Sequence, residues 1–292
     1  MIEEMIKLDH IGINVRYSLN DKSVVLFLHF SGGNLNMWEG ILPQFENEYS
    51  IIVPDFRGHG KSDKPLAGYH IDDMANDIYL LLERLNVECC HIVGSSMGAE
   101  IGLSLAASHP ELVLSLICEG ALYNEFGEYG LFNGTEEEIE HKKEVMRTVL
   151  AEREERVFKT KEEYIEEQRA ELIRQGLWNE YFLAFFEHNL QQMQNGNFTY
   201  CYLNHVRTEY IQKYWDVKFE QYYKKVKCPI LFLPSEEEWE DKKIRSILSA
   251  FTSLLHTYEI EHIENSIHAY VWMQHPIEAG KAVKRFISKH DN

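Results

Sequence analysis

The chain has 292 residues, of which 45% are hydrophobic and 26% charged, and its formal net charge is −18 at pH 7. The composition is typical of a globular protein, and the length suits one large domain that carries an insertion. The negative charge disfavours nucleic acid and anionic membrane surfaces as partners, because both repel such a chain.

The first residues and the cysteines bear on the location of the protein. The segment MIEEMIKLDHIGINV lacks the basic and apolar regions of a secretory signal. No apolar run approaches the roughly 18 residues of a membrane span. The five cysteines show no spacing typical of a zinc or haem site. We therefore predict a soluble, cytoplasmic protein that needs no metal and no organic cofactor.

Strand and helix patterns alternate along the first part of the chain. Continuous apolar runs predict strands buried on both faces, and apolar residues at helical spacing predict helices between them. The predicted strands are 12–19, 23–30, 49–56, 90–94 and 112–118, and the predicted helices are 71–87 and 97–110.

The pattern changes near residue 123 and resumes near residue 226. Between these positions the chain reads mostly as helices, without an evident strand of the parallel type. The later predicted elements are strand 229–234, helix 241–255, strand 256–263 and helix 276–290. Alternating strands and helices predict an α/β fold, with a mostly parallel twisted sheet and helices on both faces. We predict a core of residues 1–122 and 226–292 and a helical insertion over 123–225.

A short motif at the end of one predicted strand indicates a nucleophile. Gly94-Ser95-Ser96-Met97-Gly98 matches G-x-S-x-G, follows an apolar strand and opens a helix. The strained turn that this motif forms needs small residues two before and two after the serine. Only Ser96 is bracketed in this way by glycines, so Ser96 is the predicted nucleophile.

A serine hydroxyl needs a base that takes its proton, and the base needs a carboxylate that orients it. His268 lies in the loop after the last predicted strand and is the predicted base, whereas His262 is nearer the strand and His275 precedes a helix. The identity of the carboxylate that orients His268 is left open by these residues alone. The loop after strand 229–234 carries five acidic residues between 236 and 241, and Glu119 ends another strand.

Backbone amides are predicted to stabilise a developing oxyanion. Met97 begins the helix after Ser96, where the helix dipole favours negative charge. The turn HFSGGN, residues 29–34, follows a neighbouring strand, and Ser31 is its predicted donor.

Taken together, these segments resemble the α/β-hydrolase superfamily over residues 10–122 and 226–290. The resemblance rests on LHFSGGN, PDFRGHGKSDKP, VGSSMGA, CPILFLPSEEE and IHAYVWMQHP, in this order. It implies an α/β-hydrolase fold in which residues 123–225 form a helical cap over the substrate pocket. It also implies the serine-nucleophile branch, since dehalogenases and epoxide hydrolases of this fold use aspartate.

Two positions depart from the pattern of the family. Phe30 stands where the family usually has glycine, which predicts a narrowed pocket or an altered oxyanion loop. The family acid is usually aspartate, nine residues after the proline that opens its strand, and that position holds Glu238. We therefore favour Glu238 as the acid, with Glu119 and Asp241 as alternatives.

The predicted function is a serine hydrolase that cleaves a small or medium ester, lactone or related carbonyl substrate through an acyl-enzyme. The expected partner is that small molecule. Two alternatives remain open: a ligand receptor or signalling protein without catalysis on the same fold, and a carbon–carbon bond hydrolase.

Overall fold

The computed structural model describes residues 1–291. The strands are β1 (Ile2–Lys7), β2 (Gly12–Ser18), β3 (Val24–Leu28), β4 (Ser50–Pro54), β5 (Cys90–Ser95), β6 (Val113–Glu119), β7 (Asn124–Phe126), β8 (Gly130–Phe132), β9 (Val157–Phe158), β10 (Leu190–Gln192), β11 (Phe198–Tyr200), β12 (Ile230–Phe232) and β13 (Tyr258–Ile260). The α-helices are α1 (Ile71–Arg84), α2 (Met97–Ser108), α3 (Glu136–Ala151), α4 (Lys161–Arg174), α5 (Glu180–Glu187), α6 (Asn204–Tyr214), α7 (Phe219–Tyr223), α8 (Glu236–Glu240), α9 (Lys242–Thr252), α10 (Val271–Gln274) and α11 (Pro276–Ile287). Two 3₁₀ helices cover Leu35–Trp38 and Leu42–Gln44.

Eight strands form one sheet in the order β1-β2-β4-β3-β5-β6-β12-β13. The six strands from β4 to β13 pair in parallel, whereas β1 and β2 add an antiparallel edge. The predicted mostly parallel sheet is confirmed. Strand β1 was not predicted, because its sequence IEEMIK has no continuous apolar run and lies mostly exposed at the sheet edge, where no such run is needed.

Both faces of the sheet are covered by helices, as predicted. Along β3, Leu26 and Leu28 enter the core beneath α1 and α2. Val25 and Phe27 enter the opposite core, together with Trp38 and α11. Successive residues of a strand point to opposite faces, which explains why the buried strands read as continuous apolar runs. Each of these side chains stabilises the fold by about 1.5–3 kcal/mol relative to full exposure.

Residues 123–225 contain helices α3 to α7 and five short strands. The predicted helical character is correct for the helices, but the strands were missed. β9 and β10 flank β11 in a small antiparallel sheet, and β7 pairs with β8. Strands of two or three residues are too short to show the period-2 pattern by which a strand is recognised. The division into a core and a cap stays a prediction.

Helix α3 is the longest of the described helices, with 16 residues, and no residue in it is buried. It begins with a capping box between Thr135 and Glu138, as its sequence TEEE suggests. Its charged composition keeps it at the surface. Within residues 1–291, no helix is both long enough and apolar enough to cross a bilayer.

Candidate active site

Ser96 lies on a sharp turn between β5 and α2. Its φ of 48° and ψ of −116° belong to a region that is costly for a residue with a β-carbon. Small neighbours permit the turn. A β-carbon on Gly94 would come within 2.5 Å of the Ala99 backbone, and one on Gly98 would overlap the carbonyl group of Leu28. The turn brings Ser96 to the wall of a cavity at the N-terminus of α2.

Ser95, the neighbouring serine, has a different environment. It is fully buried, and its hydroxyl donates a hydrogen bond to Oε2 of Glu119 at 2.6 Å. The Ser96 amide donates to the carbonyl oxygen of the same glutamate. Hydrogen bonds to Glu119, the last residue of β6, therefore hold the turn in place. Ser96, rather than Ser95, reaches the cavity.

The close packing at this turn predicts a stability effect. Replacing Gly98 with alanine should destabilise the protein by about 2–3 kcal/mol, because the new methyl group meets backbone that cannot move freely. Gly102, in the same helix, is the matched control: a β-carbon there would meet only the side-chain tips of Leu116 and Ile92, at 2.9 and 3.0 Å. Urea unfolding of Gly98→Ala and Gly102→Ala checks the difference, and equal midpoints would contradict it.

His268 lies in the loop between β13 and α10. Its Nε2 is 3.1 Å from Oγ of Ser96. The loop is anchored to the sheet, because the amide of Ala269 donates to Oε1 of Glu119 at 2.7 Å. The sequence separates the serine and the histidine by 172 positions, and the parallel sheet brings them together at one edge.

The structure does not bring the two other candidate histidines to Ser96. The His262 ring stacks on Trp239 with 5.5 Å between the ring centroids. His275 contacts the carbonyl oxygen of Asn265 at 3.3 Å. Both contacts belong to the ordinary packing of a surface loop.

Two carboxylates flank the other nitrogen of His268. Oε1 of Glu119 and Oε1 of Glu238 each lie 3.1 Å from Nδ1. Neither contact is well aligned as a hydrogen bond, but at this distance both carboxylates attract the Nδ1 proton. Both glutamates are buried, at 0% and 5% exposure, and therefore little water screens their charges from the imidazole.

The two glutamates differ in their remaining partners. Both oxygens of Glu119 already accept hydrogen bonds, from the Ala269 amide and the Ser95 hydroxyl. Glu238 uses only Oε2 in this way, accepting from the Ser235 amide at 2.9 Å at the start of α8. Among the described residues, Oε1 of Glu238 has no other donor, which leaves it available to His268.

The structure does not bring Asp241, the other alternative acid, to His268. Asp241 is exposed and caps α9, accepting hydrogen bonds from the amides of Lys243 at 2.7 Å and Ile244 at 3.2 Å. A carboxylate in this position satisfies the first amides of a helix, which is a common structural role for aspartate.

The surroundings of His268 favour its protonated form. Burial by itself lowers the pKa of the imidazole, but Glu119 and then Glu238 outweigh burial and raise that pKa well above 6.5. Burial likewise opposes ionisation of Glu238, yet its contact with His268 and its hydrogen bonds from Ser235 lower its pKa overall. The pair is therefore arranged to stabilise an imidazolium.

Ser31 and Met97, the predicted oxyanion donors, come from the turn after β3 and from the start of α2. Met97 is the first residue of α2, and amides at this position have no acceptor within the helix. Ser31 follows β3 and lines the same cavity as Ser96. Its hydroxyl is 2.8 Å from the Tyr202 hydroxyl, which helps to fix this turn.

Phe30 does not narrow the cavity, contrary to one of the expectations from the sequence. Its ring packs against Phe185 and Tyr270, with centroids 5.5 and 6.2 Å away, in the core on the far face of the sheet. It is not among the described residues that line the cavity. The bulky side chain packs between one ring from the insertion, Phe185, and one from the loop before α10, Tyr270.

The cavity beside Ser96 has a volume of about 290 Å³ and lies between the sheet edge and residues 123–225. The insertion contributes side chains from the segment before α3 and from α3 and α6. The residues that the insertion contributes to the lining are Tyr123, Glu125, Leu131, Met146, Tyr210, Ile211, Tyr214 and Trp215. A cavity of this size suits a small organic substrate.

Glu100 is a cavity residue that the sequence reasoning missed. It is buried, with 5% exposure, and accepts a hydrogen bond from the Tyr210 hydroxyl at 2.8 Å. Burial raises its pKa to about 7. Glu100 is four residues after Ser96 on α2, so the helical i,i+4 spacing was a signal that could have found it.

Within residues 1–291, one group of side chains has the spacing of metal ligands: Glu119, Glu238 and His268, whose ligand atoms lie within 4.8 Å of one another. These are the same groups that surround Nδ1 of the histidine. A metal on Nδ1 would take the position of the proton that the two carboxylates stabilise, so the donor set fits a protonated imidazole better than an ion.

Comparison with known proteins gives the family and relatives. A family profile described as alpha/beta hydrolase fold matches residues 23–206. The 2-(acetamidomethylene)succinate hydrolase of Mesorhizobium japonicum is 34% identical over 116 residues, which are 40% of this chain and 41% of that protein. The 3-oxoadipate enol-lactonase 2 of Acinetobacter baylyi is 36% identical over 91 residues, 31% of this chain and 34% of that protein. The matched segments thus span less than half the length of these curated relatives.

Similarity at the level of structure extends over nearly the whole chain. The crystal structure of an E-2-(acetamidomethylene)succinate hydrolase superposes with a TM-score of 0.77, covering 98% of this chain and 99% of the other. The sequence identity is 21%, so this likeness concerns the fold. It includes the insertion as well as the sheet.

Proposed function

The chain belongs to the α/β-hydrolase fold family, and from this premise we propose that it is a serine hydrolase acting on a small or medium ester, lactone or related carbonyl compound. The observation that carries the proposal is the 3.1 Å contact between Oγ of Ser96, held at a positive φ, and Nε2 of His268. Curated relatives named as a succinate-derivative hydrolase and an enol-lactonase support hydrolytic chemistry at such a site.

In the first half of the reaction, Nε2 of neutral His268 accepts the Ser96 proton while Oγ attacks the substrate carbonyl carbon. The carbonyl electron pair moves to oxygen, and the amides of Ser31 and Met97 stabilise that oxyanion. When the intermediate collapses, the imidazolium gives its proton to the leaving group, which departs as an alcohol. The acyl group remains on Ser96.

In the second half, water replaces the leaving group. His268 accepts a proton from the water as its oxygen attacks the acyl carbon, and the same amides stabilise the second oxyanion. Collapse releases the carboxylic acid and returns the proton to Ser96. Through both halves, the carboxylates stabilise the imidazolium. We assign Glu238 as the main orienting acid, because its Oε1 is free of other donors among the described residues. Glu119 shares the stabilisation of the imidazolium and also anchors the histidine loop.

We further propose that residues 123–225 act as the cap of a hydrolase core formed by 1–122 and 226–292. The lining of the cavity supports this division. The reacting groups come from loops of the core, whereas the wall that faces them comes mainly from the insertion. Substrate choice would then depend on the insertion and bond cleavage on the core.

Covalent labelling tests the proposed function. A fluorophosphonate probe should modify the protein once, and peptide mass spectrometry should find the adduct on Ser96, because an activated serine attacks phosphorus as it attacks a carbonyl. The Ser96→Ala variant should remain unlabelled, while Ser249→Ala, an exposed serine on α9, should label normally. A folded protein that resists the probe would instead be a ligand-binding member of the fold.

A further inference from the structure

The cavity beside Ser96 has an acidic and aromatic lining. Glu100 and Glu125 contribute carboxyl groups in addition to the Glu238 that faces His268. The aromatic members of the lining are Tyr123, Tyr210, Tyr214 and Trp215. No lysine or arginine is among the described residues that line it. The composition of this wall is therefore unsuited to a carboxylate or phosphate group.

Glu100 is the most informative of these groups. Its Oε2 accepts the hydrogen bond from the Tyr210 hydroxyl at 2.8 Å, and the residue lines the cavity. The side chain is 5% exposed, so bulk water does little to solvate it. The charge of protonated His268 acts on Glu100, but it does not outweigh burial, and the pKa of Glu100 stays raised to about 7. A further positive charge in the cavity would therefore favour the carboxylate.

Two cations of α3 approach residues of the cavity lining, because Arg147 lies over the Trp215 ring and Lys142 acts on Glu125. Both are already engaged. Arg147 forms ion pairs with Glu140 at 2.7 Å and Glu144 at 2.8 Å. Lys142 lies over an aromatic ring at 4.2 Å, and its charge reaches Glu125 but only partly offsets the burial that raises the pKa of that group. Neither of these cations acts on Glu100, and His268 only partly offsets its burial, so a further positive partner is expected to come from outside the protein.

We propose that the part of the substrate that enters this cavity carries a positive charge, as a quaternary or protonated amine. Carboxylates and the faces of tyrosine and tryptophan rings together recognise such groups, the first by charge and the second by cation–π attraction. The proposal rests on the proposed serine hydrolase function and adds a substrate class to it.

A neutral alternative makes a different prediction for the same residue. Glu100 could bind a substrate hydroxyl by hydrogen bonding alone, and glutamine would then serve nearly as well as glutamate. Under the charge-based proposal, glutamine keeps the shape and loses the attraction. The Glu100→Gln variant therefore separates the two interpretations.

Binding to the Ser96→Ala protein tests the proposal without any catalytic step. The probes are choline, its neutral isostere 3,3-dimethylbutan-1-ol and the anionic 3,3-dimethylbutanoate, each titrated by calorimetry. Choline should bind at least tenfold more tightly than the neutral probe, a difference of about 1.4 kcal/mol, and the anion should bind most weakly. Equal affinities, or preference for the anion, would overturn the proposal.

Further substitutions in the Ser96→Ala protein show which residues cause the preference for choline. Glu100→Gln should reduce the preference for choline about tenfold, and Glu125→Gln, at a less buried position, should reduce it by a smaller factor. Glu137→Gln, an exposed site on α3, is the matched control and should leave it unchanged. Thermal melts identify a variant that fails to fold, in which case Glu125→Gln decides. A preference retained in both folded cavity variants would refute the role of these carboxylates.

Activity measurements keep this inference apart from the proposed function. Wild-type protein should hydrolyse acetylcholine with a higher kcat/KM than 3,3-dimethylbutyl acetate, its neutral isostere. Fluorophosphonate labelling with no preference for the cation would refute the inference and leave the hydrolase proposal standing. Cation binding without labelling would refute the hydrolase proposal, and the cavity would then be a binding site for a cationic ligand rather than for a substrate.

Discussion

Replacing Ser96 with alanine should lower kcat/KM for p-nitrophenyl acetate by about 10⁴-fold or more. The variant lacks the oxygen that attacks the carbonyl, and no other hydroxyl is expected to take its place because the neighbouring Ser95 is buried and bonded to Glu119. The oxyanion amides and the cavity remain, so a small residual rate above that of buffer is expected. Initial rates of p-nitrophenol release measure the effect.

The matched control is Ser108→Ala, at the end of the same helix, where the hydroxyl contacts only backbone carbonyl groups of α2. This variant should retain the rate of the unmodified protein. Thermal melts of both variants should agree within a few degrees, because neither serine side chain supports the core. Unchanged turnover in Ser96→Ala would refute the assignment of the nucleophile.

Replacing both Glu119 and Glu238 with glutamine should lower kcat/KM by about 10³–10⁴-fold, comparable to removing the acid of a catalytic triad. Each single replacement should cost far less, about 10- to 100-fold, because the remaining carboxylate still lies 3.1 Å from His268. Groups that share one task give losses that do not add independently. Values of kcat/KM for the two single variants and the double variant complete this double-mutant cycle.

The pH dependence of kcat/KM in the same variants reports how the charge of each glutamate acts on His268. Because the carboxylates raise the pKa of His268 well above 6.5, the neutral base becomes available only at higher pH, and kcat/KM should rise with pH beyond the ordinary range of histidine. Removing one negative charge should lower the pKa of His268. The rise of kcat/KM with pH should therefore begin at lower pH, while the maximum value of kcat/KM should fall. The double variant should show the lowest midpoint.

Two outcomes would contradict the shared role of these glutamates. If one single variant matched the double variant in rate and in pH midpoint, that residue alone would be the functional acid. If Glu119→Gln lost stability without a shift in the pH profile, its contribution would be confined to the hydrogen bonds with Ser95 and Ala269. Urea unfolding supplies the stability values for this comparison.

Much of the architecture could be predicted from local patterns. Apolar runs over 23–30, 49–56, 90–94 and 112–118 mark strands buried on both faces, and the structure has β3, β4, β5 and β6 within them or within one residue of them. The misses are strands that lack such a pattern. β1 lies exposed at an edge, and the strands of the insertion have two or three residues each.

Local patterns encode the buried strands of the sheet, the sharp turn that carries Ser96 and the loop that carries His268, because short-range spacing and side-chain size specify each of them. Which acids meet the histidine, and what lines the cavity, depend instead on long-range packing. Glu119 ends β6, Glu238 lies on α8, and Tyr210 reaches Glu100 from the insertion. These contacts join residues far apart in the chain, and only the packing of complete elements determines their distances and the burial that sets their charges.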